Sequence, residues 1–251
     1  MRSFLVALAF LTIVPIRFRQ PLADRDIARS RLWYPHVGLI VAALLGLLVV
    51  WVARLASPWV GAFGVLAAWV VVTGGLHLDG FCDLCDGLFG GQNADERLKI
   101  MKDPQVGAFG MVGVVLLLLG KFAVLAELLA QQSLQAPWLV ATAAVVARCL
   151  VLVMMAGAVY PRAEGTGRWV ITSCQVWEGW LFAVIALGAS VLLLPWRVGL
   201  GAALASLAGV GGLRFLCQQR LGGVTGDCLG AGIEMAELVF LMVGYLLLLT
   251  G

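Results

Sequence analysis

Long apolar runs alternate with short polar connections along almost the whole chain. The runs fall at 37–54, 58–77, 107–130, 137–158, 179–195, 198–216 and 231–250. Each is close to the roughly 20 residues that a helix needs to cross the hydrocarbon of a bilayer. No strand-like alternation interrupts them, so the pattern predicts an all-α, polytopic membrane bundle of about seven transmembrane helices, with residues 1–251 as a single membrane-embedded domain. Pro137, Pro161 and Pro195 sit at predicted ends, where proline is tolerated. Only Pro195, Trp196 and Arg197 separate the fifth and sixth runs, which predicts a tight helical hairpin. An earlier apolar run, Phe4 to Val14, is too short to span and leads into Pro15, Ile16 and Arg17 without a small-x-small cleavage site. It reads as a short interfacial or re-entrant helix.

Composition agrees with lipid as the main solvent. The chain is 62% hydrophobic and 12% charged, against about 25% charged in a soluble domain. Its mean hydropathy is +1.00. The few charges are sorted. Seven spans send residues 1–36, 78–106, 159–178 and 217–230 to one side, and nearly all lysines and arginines go with them; only Arg54 and Arg197 border the other side. The positive-inside rule makes the first side cytoplasmic, N-in and C-out. Of the fourteen acidic residues, all but Glu127 lie on or near that side. Chemistry is therefore expected there, and the basic residues need no nucleic acid to explain them.

The densest chemical segment runs from Gly74 to Gly87. If the second span continues as helix, Asp79, Asp83 and Asp86 stand at i, i+4 and i+7 on one stripe. Carboxylates so spaced repel one another unless a cation joins them, and hard divalent ions take such oxygens while keeping sites for water and phosphate. Mg²⁺, with Mn²⁺ as an alternative, is the expected ion; a solvated helix end is the plainer reading. Cys82 and Cys85 form a C-x-x-C, but with no second pair and only His36 and His77 in the chain, zinc is poorly supported. All six cysteines are expected to be reduced. Downstream, Lys102 and Asp103 precede the third span as a candidate phosphate contact and a candidate fourth metal ligand. Lys121 and Arg148 lie inside spans, where charge is costly and needs a partner or a polar cavity. Arg148 reads as an anion ligand and Lys121 as structural. Arg162 and Glu164 occupy a third polar loop. Asp227, Glu234 and Glu237 form a second acidic stripe at the start of the last span. No Ser-His-Asp set, Walker loop or dinucleotide fingerprint is present.

At these residues the chain resembles the cobalamin synthase (adenosylcobinamide-GDP ribazoletransferase) family, nearly end to end. The resemblance is carried by Phe10 to Ile16, Tyr34 to Gly38, Thr73 to Gly80 with Asp83, Asp86 and Gly87, then Glu96-Arg97, Ile100 to Asp103, Gly107-x-x-Gly110, Arg162-x-Glu164-Gly165 and Gly222 to Asp227. Cys82 and Cys85 depart from it, standing where the family would carry small residues such as alanine. The resemblance implies transfer of adenosylcobinamide phosphate from adenosylcobinamide-GDP to α-ribazole or its 5′-phosphate, with GMP released. Asp79, Asp83, Asp86 and Asp103 are then expected to hold Mg²⁺. Lys102, Arg148 and Arg162 would contact phosphate, with His77 and Glu164 completing the substrate contacts. Asp227 or Glu234 would act as base beside Asp83. A homo-oligomer, or association with other corrinoid-pathway enzymes, is compatible with this picture. Asp83-x-x-Asp86-Gly87 also matches the opening of the CDP-alcohol phosphotransferase motif, whose distal half is missing. A transporter is the rival class, but its binding groups would sit near mid-membrane, often within repeats, and no repeat is found.

Overall fold

The computed structural model describes residues 1–250 apart from Ala56 and Thr166; these two and Gly251 lie outside the described residues, within the 55–57 connection, the 162–167 loop and the C-terminus. Twelve α-helices form the described chain: α1 (Arg2–Leu11), α2 (Asp24–Ser30), α3 (Tyr34–Leu55), α4 (Pro58–Thr73), α5 (Leu76–Gly90), α6 (Ala94–Ile100), α7 (Ala108–Ala130), α8 (Ala136–Met155), α9 (Arg168–Thr172), α10 (Val176–Leu193), α11 (Trp196–Leu221) and α12 (Gly226–Leu249). Six helices, with α3 counted together with α2 and the 3-10 turn before it, are long and apolar enough to cross a membrane. The bent pair α4–α5 makes up to a seventh passage. The expected all-α bundle is therefore observed. α2, α6 and α9 are short helices that the apolar runs did not announce.

The centre of the bundle is α8, buried along nearly its whole length and flanked by α3, α10, α11 and α12. Outward faces of the other helices carry large exposed apolar side chains, among them Leu47, Phe63, Leu116 and Leu192. In water such a surface would mark a binding face, but around an entire bundle it is the surface lipid covers. The predicted hairpin is present: α10 ends at Leu193, Pro195 caps α11, and Gly199 lies directly against the Ser190 backbone. α1 is too short to span. It buries Val6, Ala7 and Leu11 against the bundle, and its exit is pinned where the Ile13 N–H donates to the Val72 carbonyl, 2.8 Å.

One expectation fails in a consequential place. The second apolar run does not continue as one helix through the acidic segment. Gly74 and Gly75 both adopt left-handed backbone, φ +65° and +70°, a conformation costly for any residue with a Cβ. α4 ends there, and α5 starts at an angle of 88° to it. At 1.5 Å per residue the 16 residues of α4 cover about 24 Å, most of a bilayer core. After so sharp a turn α5 leaves the axis of α4 and packs over the first turns of α7 and α12, so the aspartate stripe survives on a helix at one end of the bundle.

Several long-range contacts gather the polar connections at that same end. Arg97 of α6, buried, donates to the Arg220 carbonyl at the end of α11, 3.2 Å. Val224 N–H donates to the Val159 carbonyl, 2.9 Å. Arg31 and Glu178 form a buried pair at 2.9 Å that ties the start of α3 to the start of α10.

Candidate active site

α5 approaches α12 at Gly80. A Cβ there would stand 2.9 Å from the Asp227 Cα and 2.8 Å from its carbonyl oxygen, so only a bare backbone allows this contact. Gly230 does the reciprocal job a turn further along α12, against the backbone of His77. This packing brings Asp79 and Asp83 alongside Asp227. Thr225 caps α12, its hydroxyl accepting from the Cys228 N–H. Arg162 reaches in from the loop before α9 and pairs with Asp227 at 2.9 Å. Among the described residues this is the one salt bridge in the group.

The electrostatics follow from that imbalance. Burial, then the neighbouring Asp79 and Asp227 carboxylates, push the Asp83 carboxyl up to about 7, against the pull of Arg162. Three acids thus share one end of the molecule with a single nearby arginine. Among the described residues no three carboxylate, imidazole or thiol groups converge tightly enough to form a closed metal shell. A Mg²⁺ ion does not require one: it is commonly held by one or two carboxylates, with waters and substrate phosphates in its other positions. The carboxylates of Asp79 and Asp83, one turn apart on α5, are two donors of that chemical kind.

Asp86 has another task. It is buried, and its two oxygens accept from the backbone N–H groups of Gly107 and Gly110, each at 2.8 Å. It caps α7 at the positive end of the helix dipole, and a side chain at either glycine would collide with it. The four-aspartate metal set expected from sequence therefore loses Asp86. Asp103 also stands apart: exposed, it accepts from the Gln105 N–H in its own turn at 3.0 Å, and it is not among the charges that act on Asp83. The Cys82 and Cys85 thiols are free and face α7, where Gly110 and Gly113 make room for them. They fill a helix contact, which is the physical content of the C-x-x-C.

Two further sequence assignments are corrected. Glu234 is not an accessible base: it is buried, and Lys121 donates to it at 2.5 Å. Arg148 is not a phosphate ligand: it is fully buried and paired with Glu237. Glu237, the last residue of the second acidic stripe, is the hub of this network. It also accepts from Lys121 at 2.5 Å and from the Trp69 indole N–H at 3.1 Å. Two cations and two carboxylates thus join α4, α7, α8 and α12 beneath α5. Their spacing in sequence could not reveal the pairing, because the partners are 89 to 116 residues apart. His77 lies beside this network, buried, with neither ring nitrogen hydrogen-bonded. Lys102 and Glu164 are exposed on the polar loops and form no ion pair among the described residues.

Below Asp79 and Asp227 a cavity of about 160 Å³ reaches into the bundle between α1, α3, α5, α8, α9 and α12, with mainly apolar walls that also carry Tyr34 and His77. The arrangement is an acidic rim over a mainly apolar pocket.

Comparison with known proteins agrees. A family model described as cobalamin-5-phosphate synthase matches residues 3–245. Proteins named adenosylcobinamide-GDP ribazoletransferase are similar over nearly their whole length. That of Klebsiella pneumoniae (strain 342) is 36% identical, covering 96% of this chain and 98% of its own. Those of Desulfitobacterium hafniense (strain Y51) and Chlorobium phaeobacteroides (strain BS1) are each 37% identical, covering 99% of this chain and 98% and 99% of their own. No solved structure matches. With a family match over almost every residue, the chain belongs to the cobalamin-5-phosphate synthase family.

Proposed function

We propose that the rim formed by Asp79, Asp83 and Asp227 is the centre at which this enzyme of cobalamin biosynthesis performs its family's transfer. The reaction joins adenosylcobinamide-GDP to α-ribazole or its 5′-phosphate. A ribose hydroxyl oxygen attacks the phosphorus that bears the cobinamide, and the bond from that phosphorus to the bridging oxygen breaks. GMP leaves with the bridging oxygen, and the hydroxyl proton passes to a base. The observation that carries the assignment is the uncompensated acidity around Asp83, where α5 and α12 bring three carboxylates together.

Asp79 and Asp83 are the residues that would hold Mg²⁺, or Mn²⁺. When bound, the ion would neutralise the diphosphate and stabilise the leaving phosphate. Arg162, next to Asp227, supplies a bidentate cation for a phosphate oxygen. Lys102, exposed on the loop between α6 and α7 and in no ion pair among the described residues, is the second proposed phosphate contact. Asp227 lines the cavity mouth and accepts the proton from the attacking hydroxyl. The concentration of lysine and arginine on the connections at this end supports a cytoplasmic orientation in the inner membrane. The charges deep in the bundle are paired with one another, and that pairing accounts for them without a transported solute.

The test is GMP release by purified protein in detergent, supplied with adenosylcobinamide-GDP and α-ribazole. The expected result is release that needs both substrates, stops on chelation and returns with Mg²⁺. Release that continues unchanged in excess chelator would remove the metal from this account.

A further inference from the structure

The cavity under the rim is continuous with the centre, since Asp79 and Asp227 belong to both. Its walls are chiefly aliphatic and aromatic, with Phe10 from α1, Val151 from α8, Val170 from α9 and Ile233 from α12, and Tyr34 and His77 as the buried polar side chains among them. Apolar cavities of about 150 Å³ lined by such side chains take up guests the size of benzene. A cavity of about 160 Å³ is therefore a seat for one small planar aromatic group and far too small for a corrin macrocycle.

Two aromatic bases are in play in the family reaction. Guanine carries a carbonyl, a ring N–H and an amino group on its edge, more polar groups than the two buried polar side chains of the wall, Tyr34 and the unpaired His77 imidazole, can match, at a cost of about 1–3 kcal/mol for each group left over. Ribazole carries a dimethylated benzimidazole, uncharged and apolar over most of its surface, which gains from the same burial. The only acidic groups on the wall are the two at the mouth, where the ribose of a seated nucleoside would emerge. We propose that this cavity is the base subsite of the acceptor: it seats the apolar base of ribazole and presents the ribose hydroxyl to Asp227. The proposal rests on the transfer reaction given above and adds to it which substrate enters the bundle and by which end. The donor diphosphate then approaches across α5 from the polar side, and α1 is the outer wall of the acceptor seat.

The test is steady-state kinetics of the full-length protein in detergent, varying each substrate in turn. Val170→Phe fills the cavity without touching an acidic residue. The expected result is a KM for α-ribazole raised by about tenfold or more, with the KM for adenosylcobinamide-GDP little changed. A raised donor KM with the acceptor KM unmoved would overturn the proposal, because the donor would then own the cavity. Should Val170→Phe fail to fold, Phe10→Ala opens the wall instead, and ribosides of bulkier fused bases should gain on α-ribazole as acceptors. An unaltered acceptor preference in that variant also overturns it. Turnover that survives with an unmoved acceptor KM rejects the cavity assignment alone, whereas a wild-type chain that forms no GMP with any acceptor rejects the transfer reaction as well.

Discussion

Two groups of carboxylates lie close together in this molecule under opposite conditions. Glu234 and Glu237, enclosed by helices, meet Lys121 and Arg148, so that two negative charges are offset by two positive ones. Asp79, Asp83 and Asp227, at the end of the bundle, have Arg162 as their one paired cation among the described residues. A buried charge without a partner costs several kcal/mol, so the interior cannot tolerate an imbalance. The rim, partly open, can keep one. Its excess charge is available to an ion or a substrate, whereas the charge of the interior group is already spent on holding helices. The comparison teaches that acidity alone does not locate chemistry in a membrane enzyme. The acids without cations do.

The largest effect is expected from breaking the neutral group. Glu237→Ala leaves Arg148 and Trp69 without their carboxylate and removes one of Lys121's two, and should cost about 3–5 kcal/mol. It would be seen as a lowered unfolding temperature in detergent and poor recovery of folded protein. Asp83→Asn should do the reverse. Folding should match or exceed wild type, because a repulsive carboxylate is gone, while kcat falls roughly 10²–10³-fold. If both variants lost stability alike, the distinction between the two groups would be wrong.

A smaller effect is expected at the α5–α7 contact. Gly110→Ala puts a Cβ 2.5 Å from the Cys82 sulfur and into the Asp86 carboxylate that caps α7. Overpacking of this kind costs about 1–3 kcal/mol, and it should appear as a lower unfolding temperature. Activity per folded molecule should fall only as far as α5 is displaced, and a variant as stable as wild type would show that the close approach is not real.

The smallest is the pH response of the rim. Asp83 titrates near 7 in the folded protein, above its ordinary carboxylate value, so between those values the folded state binds more protons than the unfolded one. Stability from this group is then lost as pH rises through about 7. A divalent ion should offset that loss, and the thermal shift caused by Mg²⁺ should grow from pH 5.5 to pH 8, approximate conditions that bracket the titration. A shift independent of pH would separate the ion from Asp83.

Much of the fold was legible in sequence because apolar length is a strong signal. Each of the seven runs corresponds to a helix or a helix pair, and Pro195 marked the α10–α11 turn. The break at Gly74 and Gly75 was not legible as a turn, since two glycines can also serve close helix packing, and hydropathy continues across them. Asp79, Asp83, Asp227 and Arg162 stood out through spacing and loop position, and the packing of α5 on α12 brings them to one end of the bundle. Asp86 was misassigned because its spacing on α5 matches a ligand stripe, while its real partners are N–H groups more than twenty residues away on α7. Glu234 and Arg148 were misassigned for a related reason: a charge within a span signals a partner, and only the packing of α7, α8 and α12 says that the partner is another side chain rather than a substrate.

The claim on which all this depends is that the rim, and not the interior network, holds the divalent ion. Mn²⁺ titration of the purified protein, followed by the paramagnetic resonance signal of the free ion, tests it most directly. The account predicts that wild type and Glu234→Gln, provided it folds, bind Mn²⁺ while Asp83→Asn does not. Equal binding by wild type and Asp83→Asn, or loss of binding only in a folded Glu234→Gln, would contradict it.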